Sequence, residues 1–131
     1  MLVEYIKYKK EKYGVVIRSQ YVNKPIDFFT DDDNEFQIGM FTRECGYKVE
    51  PHKHICSPFK INLVQEFILV KSGKLKMIFF SSEGEKYTET ILNEGDSVLT
   101  MKGGHSILFL EKSSILEIKQ GPYEENKKVF F

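Results

Sequence analysis

The chain is poor in the residues that most often carry chemistry. Of its 131 residues only three are histidine and two are cysteine. It also lacks net charge, since nineteen basic residues balance nineteen acidic ones. A neutral chain offers no electrostatic handle for nucleic acid or for an anionic membrane. No apolar run approaches the length of a membrane span. Cys45 and Cys56 are too few for a disulfide framework, and no signal-peptide pattern precedes them. The expectation is a cytoplasmic protein with free thiols. Sustained helical periodicity, internal repeats and low-complexity segments are all missing, which argues against helix bundles and solenoids.

What remains is a run of short aromatic and β-branched segments separated by turn residues. The Lys-rich start (Lys7, Lys9, Lys10, Lys12) alternates with Tyr5, Tyr8 and Tyr13. Glu4 and Glu11 break up its charge, so it reads as a solvated edge strand or arm. Strands are expected over 15–22, 36–40, 64–70, 74–80, 87–92, 97–101, 106–110 and 115–119, and on the approach to His52 and His54. Asp27 to Asn34 reads as a loop. Its acidic run Asp31-Asp32-Asp33 lacks EF-hand spacing, so it is solvated rather than calcium-binding. Gly73, Gly84, Gly95 and Gly103-Gly104 mark tight turns. Many short strands at near-regular spacing predict an all-β protein, one domain spanning 1–131, built as an antiparallel sandwich or barrel.

The histidines stand out against this background. His52 and His54 are two apart, and on a strand such a pair projects from one face. Imidazole combined with carboxylate suits iron, manganese, nickel, copper or zinc.

Two segments resemble the motifs of the cupin superfamily. The first is Gly46, five residues, His52-x-His54, then Glu66, six residues and Gly73; its gap between His54 and Glu66 is longer than the usual pattern. The second is Gly95, five residues, Met101-Lys102-Gly103, one residue and His105, with Met101 where the motif has proline. The resemblance covers about 36–119. It implies a β-barrel of the jelly-roll, or double-stranded β-helix, type, with one divalent transition metal held by His52, His54, Glu66 and His105. A finer resemblance, through Gly95-Asp96, Gly103-Gly104-His105 and the tail Glu117-Ile118-Lys119-Gln120-Gly121-Pro122-Tyr123, is to small bacterial cupins that accompany surface-polysaccharide and nucleotide-sugar biosynthesis. It implies a small polar, sugar-derived ligand.

Arg43, Tyr47, Lys60 and Gln120 are the candidates for contacts to that ligand, and Arg43 and Lys60 suit a carboxylate or phosphate. Glu117 and Lys119 share a strand face and read as a surface pair. Three function classes stay open: a metal-dependent isomerase or dioxygenase, a non-enzymatic metabolite sensor, and a metal-free sugar-nucleotide isomerase or epimerase with histidine as acid or base. The aromatic residues Tyr5, Tyr8, Phe130 and Phe131 near the termini, with open strand edges, predict a homodimer.

Overall fold

The computed structural model describes residues 1–58, 60–125 and 127–131. Ten strands follow in order: β1 (Val3–Tyr8), β2 (Glu11–Ile17), β3 (Ile26–Phe28), β4 (Gly39–Phe41), β5 (Glu66–Ser72), β6 (Lys74–Phe80), β7 (Lys86–Asn93), β8 (Ser97–Thr100), β9 (Gly104–Phe109) and β10 (Ser114–Lys119). The protein is all-β, as its sequence predicts. Among the described residues no helix is long and apolar enough to cross a membrane. The chain forms two compact units, Met1–Tyr21 with Leu63–Phe131, and Val22–Asn62.

The first unit is a two-layer sandwich. One sheet has the order β1-β2-β8-β5-β10 and the other β7-β6-β9, with every pairing antiparallel. Side chains alternate across a strand, and β6 shows the result directly: Leu75, Met77 and Phe79 are buried, whereas the residues between them are not. These three and Leu92 meet Ile6, Val16, Ile68, Val70 and Val98 of the larger sheet to form the core. Each such burial contributes about 1.5–3 kcal/mol. The β7–β8 turn is fixed by Asp96, whose buried carboxylate accepts from the N–H groups of Ser19 and Asn93 and pairs with Arg18. A buried charge persists only when it is satisfied in this way.

The second unit holds the β3/β4 hairpin, in which Ile26, Asp27 and Phe28 face Phe41, Met40 and Gly39. The loop between them is closed by Gln37, whose amide donates to the carbonyls of Asp31 and Asn34. Asp31, Asp32 and Asp33 are exposed there, as expected of a solvated loop.

Three strand expectations need correction. The Lys-rich start is the edge strand β1, but β2 covers Glu11–Ile17 rather than 15–22. The β1–β2 turn is made by Lys9 and Lys10 with φ of 48° and 71°, a conformation that glycine or asparagine usually signals. β3 begins just before the expected loop 27–34 and runs into its first two residues, and in place of the expected strand 36–40 stands the shorter β4, which ends at Phe41. The histidine pair is not on a strand: residues 42–58 and 60–65 carry none. Pro51 and Pro58 flank the pair and lack the N–H that a ladder needs. Among the described residues the sheets remain separate, and no barrel closes.

Candidate functional site

Glu66 opens β5 and lies on the same face as the buried Ile68 and Val70. Register sets its neighbours: Thr100 of β8 on one side and Lys119 of β10 on the other. Cross-strand partners share a face, so β10 turns Ile115, Glu117 and Lys119 toward the same layer. In the opposite sheet His105 is paired with Phe79, a core residue, and therefore also faces inward. The apolar core thus ends in a polar cluster contributed by both sheets. His105 Nε2 stands 3.7 Å from Glu66 Oε2, and Lys119 Nζ stands 3.7 Å from Glu117 Oε1.

The approach to His105 depends on Gly103. Its φ is +77°, and a Cβ there would lie 2.5 Å from the carbonyl oxygen of Phe80 and against the Tyr13 ring. Met101 stands where the cupin motif has proline. Its N–H donates to the Tyr13 carbonyl at 2.8 Å, a bond that proline cannot make. Beside this turn Tyr8, Tyr13 and Tyr87 form a ring cluster with centroids 4.8–5.8 Å apart. Burial pushes the Tyr87 hydroxyl up to about 12.

The electrostatics of the cluster follow from burial and from the two adjacent carboxyl groups. Desolvation, a hydrogen bond to Glu117 and the charge of Glu117 together raise Glu66 to about 7. Glu117 moves the other way, held below the usual carboxylate range chiefly by the hydrogen bond that Glu66 donates to it. Burial lowers the His105 imidazole, against the pull of Glu117. Near neutral pH the cluster therefore contains a carboxyl poised around its titration point beside a neutral imidazole. Charges on Lys119 and Lys128 act on Glu66, Glu117 and His105 alike.

Of the four metal-ligand candidates, Glu66 and His105 are brought together in the first unit. His52 and His54 belong to the second unit, exposed on coil, with ring centroids 5.1 Å apart and His52 Nδ1 2.8 Å from the Glu50 carbonyl oxygen. Among the described residues no three of histidine, cysteine, aspartate and glutamate are grouped to hold a metal ion. Arg43 lies over the Tyr47 ring at 4.8 Å and donates to the Pro25 carbonyl, and Lys60 is exposed. Gln120 has a structural contact: its side-chain oxygen accepts from the N–H of Gln65, the residue before Glu66.

The reading of Glu117 and Lys119 as a surface pair agrees with the structure, where both are exposed. Their place beside Glu66 follows from the phase of β10, since Ile115 packs on the core and every second residue after it follows the same face. Nothing in the sequence marks Lys128. No known protein family, curated protein or solved structure matches the chain.

Proposed function

We propose that this is a small jelly-roll protein of the cupin kind that binds a small polar, sugar-derived metabolite at the Glu66–His105–Glu117 cluster and moves a proton on it. The path of the chain supports the jelly-roll part. From β5 to β10 it passes repeatedly between the two sheets, and apart from the β6/β7 hairpin the pairings join strands that are not consecutive in the chain. The observation that carries the chemistry is the juxtaposition of Glu66, hydrogen-bonded to Glu117, with His105 at 3.7 Å. Two titratable groups pushed apart by their surroundings suit paired acid and base roles. His105 takes a proton from a carbon next to a carbonyl. Glu66 gives its own proton to the carbonyl oxygen, and an enol results. Return of the proton to carbon completes an isomerisation or epimerisation.

Incubation of the protein in D₂O with a panel of sugar nucleotides and small keto acids tests this reading. Deuterium should enter one class of compound at the carbon beside the carbonyl, and Glu66→Gln or His105→Gln should lower the rate at least ~100-fold. Exchange that both variants leave unchanged overturns it, as does a panel without exchange.

A second reading is favoured by the same 3.7 Å separation. Glu66 and His105 are two of the four residues that the cupin resemblance assigns to a divalent transition metal, and their donor atoms fit one side of such an ion. Stoichiometric metal in the native protein, lost from the Glu66→Ala, His105→Ala double variant, supports this reading. A homodimer remains part of the proposal, now on the open edges of β1 and β10. Tyr8 and Phe131 are engaged within the chain, with Tyr87 and Phe80. Sedimentation at micromolar concentration checks it.

A further inference from the structure

Among the described residues the sandwich has four edge strands, β1 and β10 in the larger sheet and β7 and β9 in the smaller. An unpaired edge is a template for another strand, and charge or a bulge blunts it. β1 carries Lys7 and a register shift between Ile6 and Lys7. β7 carries Lys86 and Glu89, and its ladder with β6 shifts between Phe79 and Phe80. β10 differs from both. Its register shift lies at its very start, between Ser114 and Ile115, and from there the strand runs regularly to Lys119. Leu116 and Ile118 are each 53% exposed, on the face away from Glu66. On its outer edge no described strand pairs with β10.

The charges on the edges single out one partner. When a strand pairs antiparallel with a second copy of itself about a two-fold axis, residues that face each other lie on the same side of the sheet. Opposite charges on the strand can then meet only if they stand an even number of residues apart. Glu4 and Lys7 of β1 stand three apart, and so do Lys86 and Glu89 of β7. β9 exposes Leu108 and Phe109 but contains no lysine, arginine or acidic residue to fix a register. Of the four edges, β10 is the one whose opposite charges, Glu117 and Lys119, stand two apart. Both side chains are exposed, so a second strand can reach them.

The same charges choose the axis. An axis through Ile118 sets Glu117 opposite the partner's Lys119, twice over by symmetry, and Ile118 opposite the partner's Ile118. An axis through Glu117 brings two carboxylates together. An axis through Leu116 leaves both Glu117 and Lys119 facing uncharged residues. Opposite charges directly across a ladder stabilise it, and like charges destabilise it.

We propose that the chain dimerises by antiparallel pairing of β10 with β10 of a second copy about a two-fold axis at Ile118, and that the partner's Lys119 thereby joins the cluster at Glu66 and Glu117. The pairing specifies the edge and register of the homodimer named above and needs no ligand. The role of the partner's Lys119 rests on the acid–base site.

Charge reversal and cross-linking test the pairing on the full chain. Sedimentation velocity at micromolar concentration should show a dimer. Glu117→Lys and Lys119→Glu should each weaken it about 10-fold, because each substitution acts twice across the axis, and the two together should restore it. Circular dichroism of each variant confirms that the sandwich is folded. In a Cys45→Ser, Cys56→Ser background, Ile118→Cys should give a disulfide-linked dimer with oxidised glutathione, since the two copies of that position face each other within disulfide reach. Leu116→Cys should not, since its two copies lie about 13 Å apart along the paired strands. A monomeric wild type overturns the dimer. A dimer that the single reversals leave unchanged, or that the double reversal fails to restore, overturns the pairing of β10. Cross-linking through Leu116→Cys rather than Ile118→Cys overturns the axis. Deuterium exchange per chain that stays constant on dilution to monomer overturns the role of the partner's Lys119. A dimer with the expected charge pattern but no exchange at any concentration overturns the acid–base reading alone.

Discussion

Two regions of this chain hold histidine, and they use it differently. In the sandwich, His105 takes its direction from pairing with Phe79, and through the facing sheet it meets Glu66. In the segment 42–58 no ladder exists, and His52 and His54 are exposed, held by one ring contact and a backbone carbonyl. A spacing of two residues means one face only when a strand is present to define the face. Strand pairing turns a sequence interval into a direction in space, and the prolines at 51 and 58 withhold it where the histidine pair sits.

The largest expected contrast between the regions is in stability. Ile68 is fully buried between the sheets, and Ile55, in the histidine segment, is 91% exposed. Ile68→Ala should cost about 3 kcal/mol, because the facing Leu75 and Met77 cannot collapse fully into the space. Ile55→Ala should stay within about 0.5 kcal/mol. Urea unfolding of the two variants measures both. A loss of several kcal/mol for Ile55→Ala would break the comparison, since it would mean that Ile55 is packed in the folded protein.

The next contrast is in pH dependence, which belongs to the sandwich cluster. Glu66 has a folded pKa raised to about 7, above the ordinary 4.5. Its contribution to stability is therefore full below about pH 4.5 and is lost as the pH rises through 7. His105 and Glu117 are both lowered, so their contributions are present at higher pH and are lost as the pH falls through their folded values. Glu66→Gln removes only the first component and keeps a donor for Glu117. Discounted for partial exposure, the variant should gain about 1 kcal/mol relative to wild type between pH 5 and pH 8.5. Thermal melts across pH measure this, and a Glu66→Gln profile that runs parallel to wild type would remove the raised carboxyl from the account.

How much of this was legible in the sequence divides along the same line. The strands from β5 to β10 were readable because alternation such as Leu75, Met77, Phe79 against Lys74, Lys76, Ile78 records burial directly. Glu66 and His105 were singled out through the spacing of the cupin motifs, Glu66 by its distance to Gly73 and His105 by the Gly103-Gly104 turn, and the structure brings the two within 3.7 Å. Glu117 and Lys119 were legible as an exposed pair on one face, and both are exposed in the structure and stand 3.7 Å apart. That this face is the one Glu66 lies on was not legible, because it is set by Ile115 meeting Val70 across the ladder, a contact distant in sequence. The β1–β2 turn was missed because Lys9 and Lys10 occupy positions where turn chemistry usually announces itself. Phe131 on Gly104 was beyond reach, because a glycine in a strand does not name the ring that fills its space.

The smallest expected effect sharpens the contrast without touching the sandwich. Both cysteines, Cys45 and Cys56, are free, exposed and in the unit Val22–Asn62, and the other unit contains none. Thiol reagents therefore report on one region alone. An exposed thiol reacts through its thiolate at a rate set by pKa and access, and neither group here is shielded by burial. Both should react in the native protein at pH 8 without denaturant, giving two labels per chain by mass spectrometry. Because neither side chain fills a core position, carboxamidomethylation of both should change the unfolding free energy of the sandwich by less than about 0.5 kcal/mol. If one thiol reacts only in denaturant, that cysteine is covered in the folded protein, and the segment bearing His52 and His54 has more packing than its exposure indicates. If labelling is complete and the sandwich is unmoved, the two regions differ as their strand pairing requires: the ladder carries the stability, and the coil carries exposed, chemically accessible side chains.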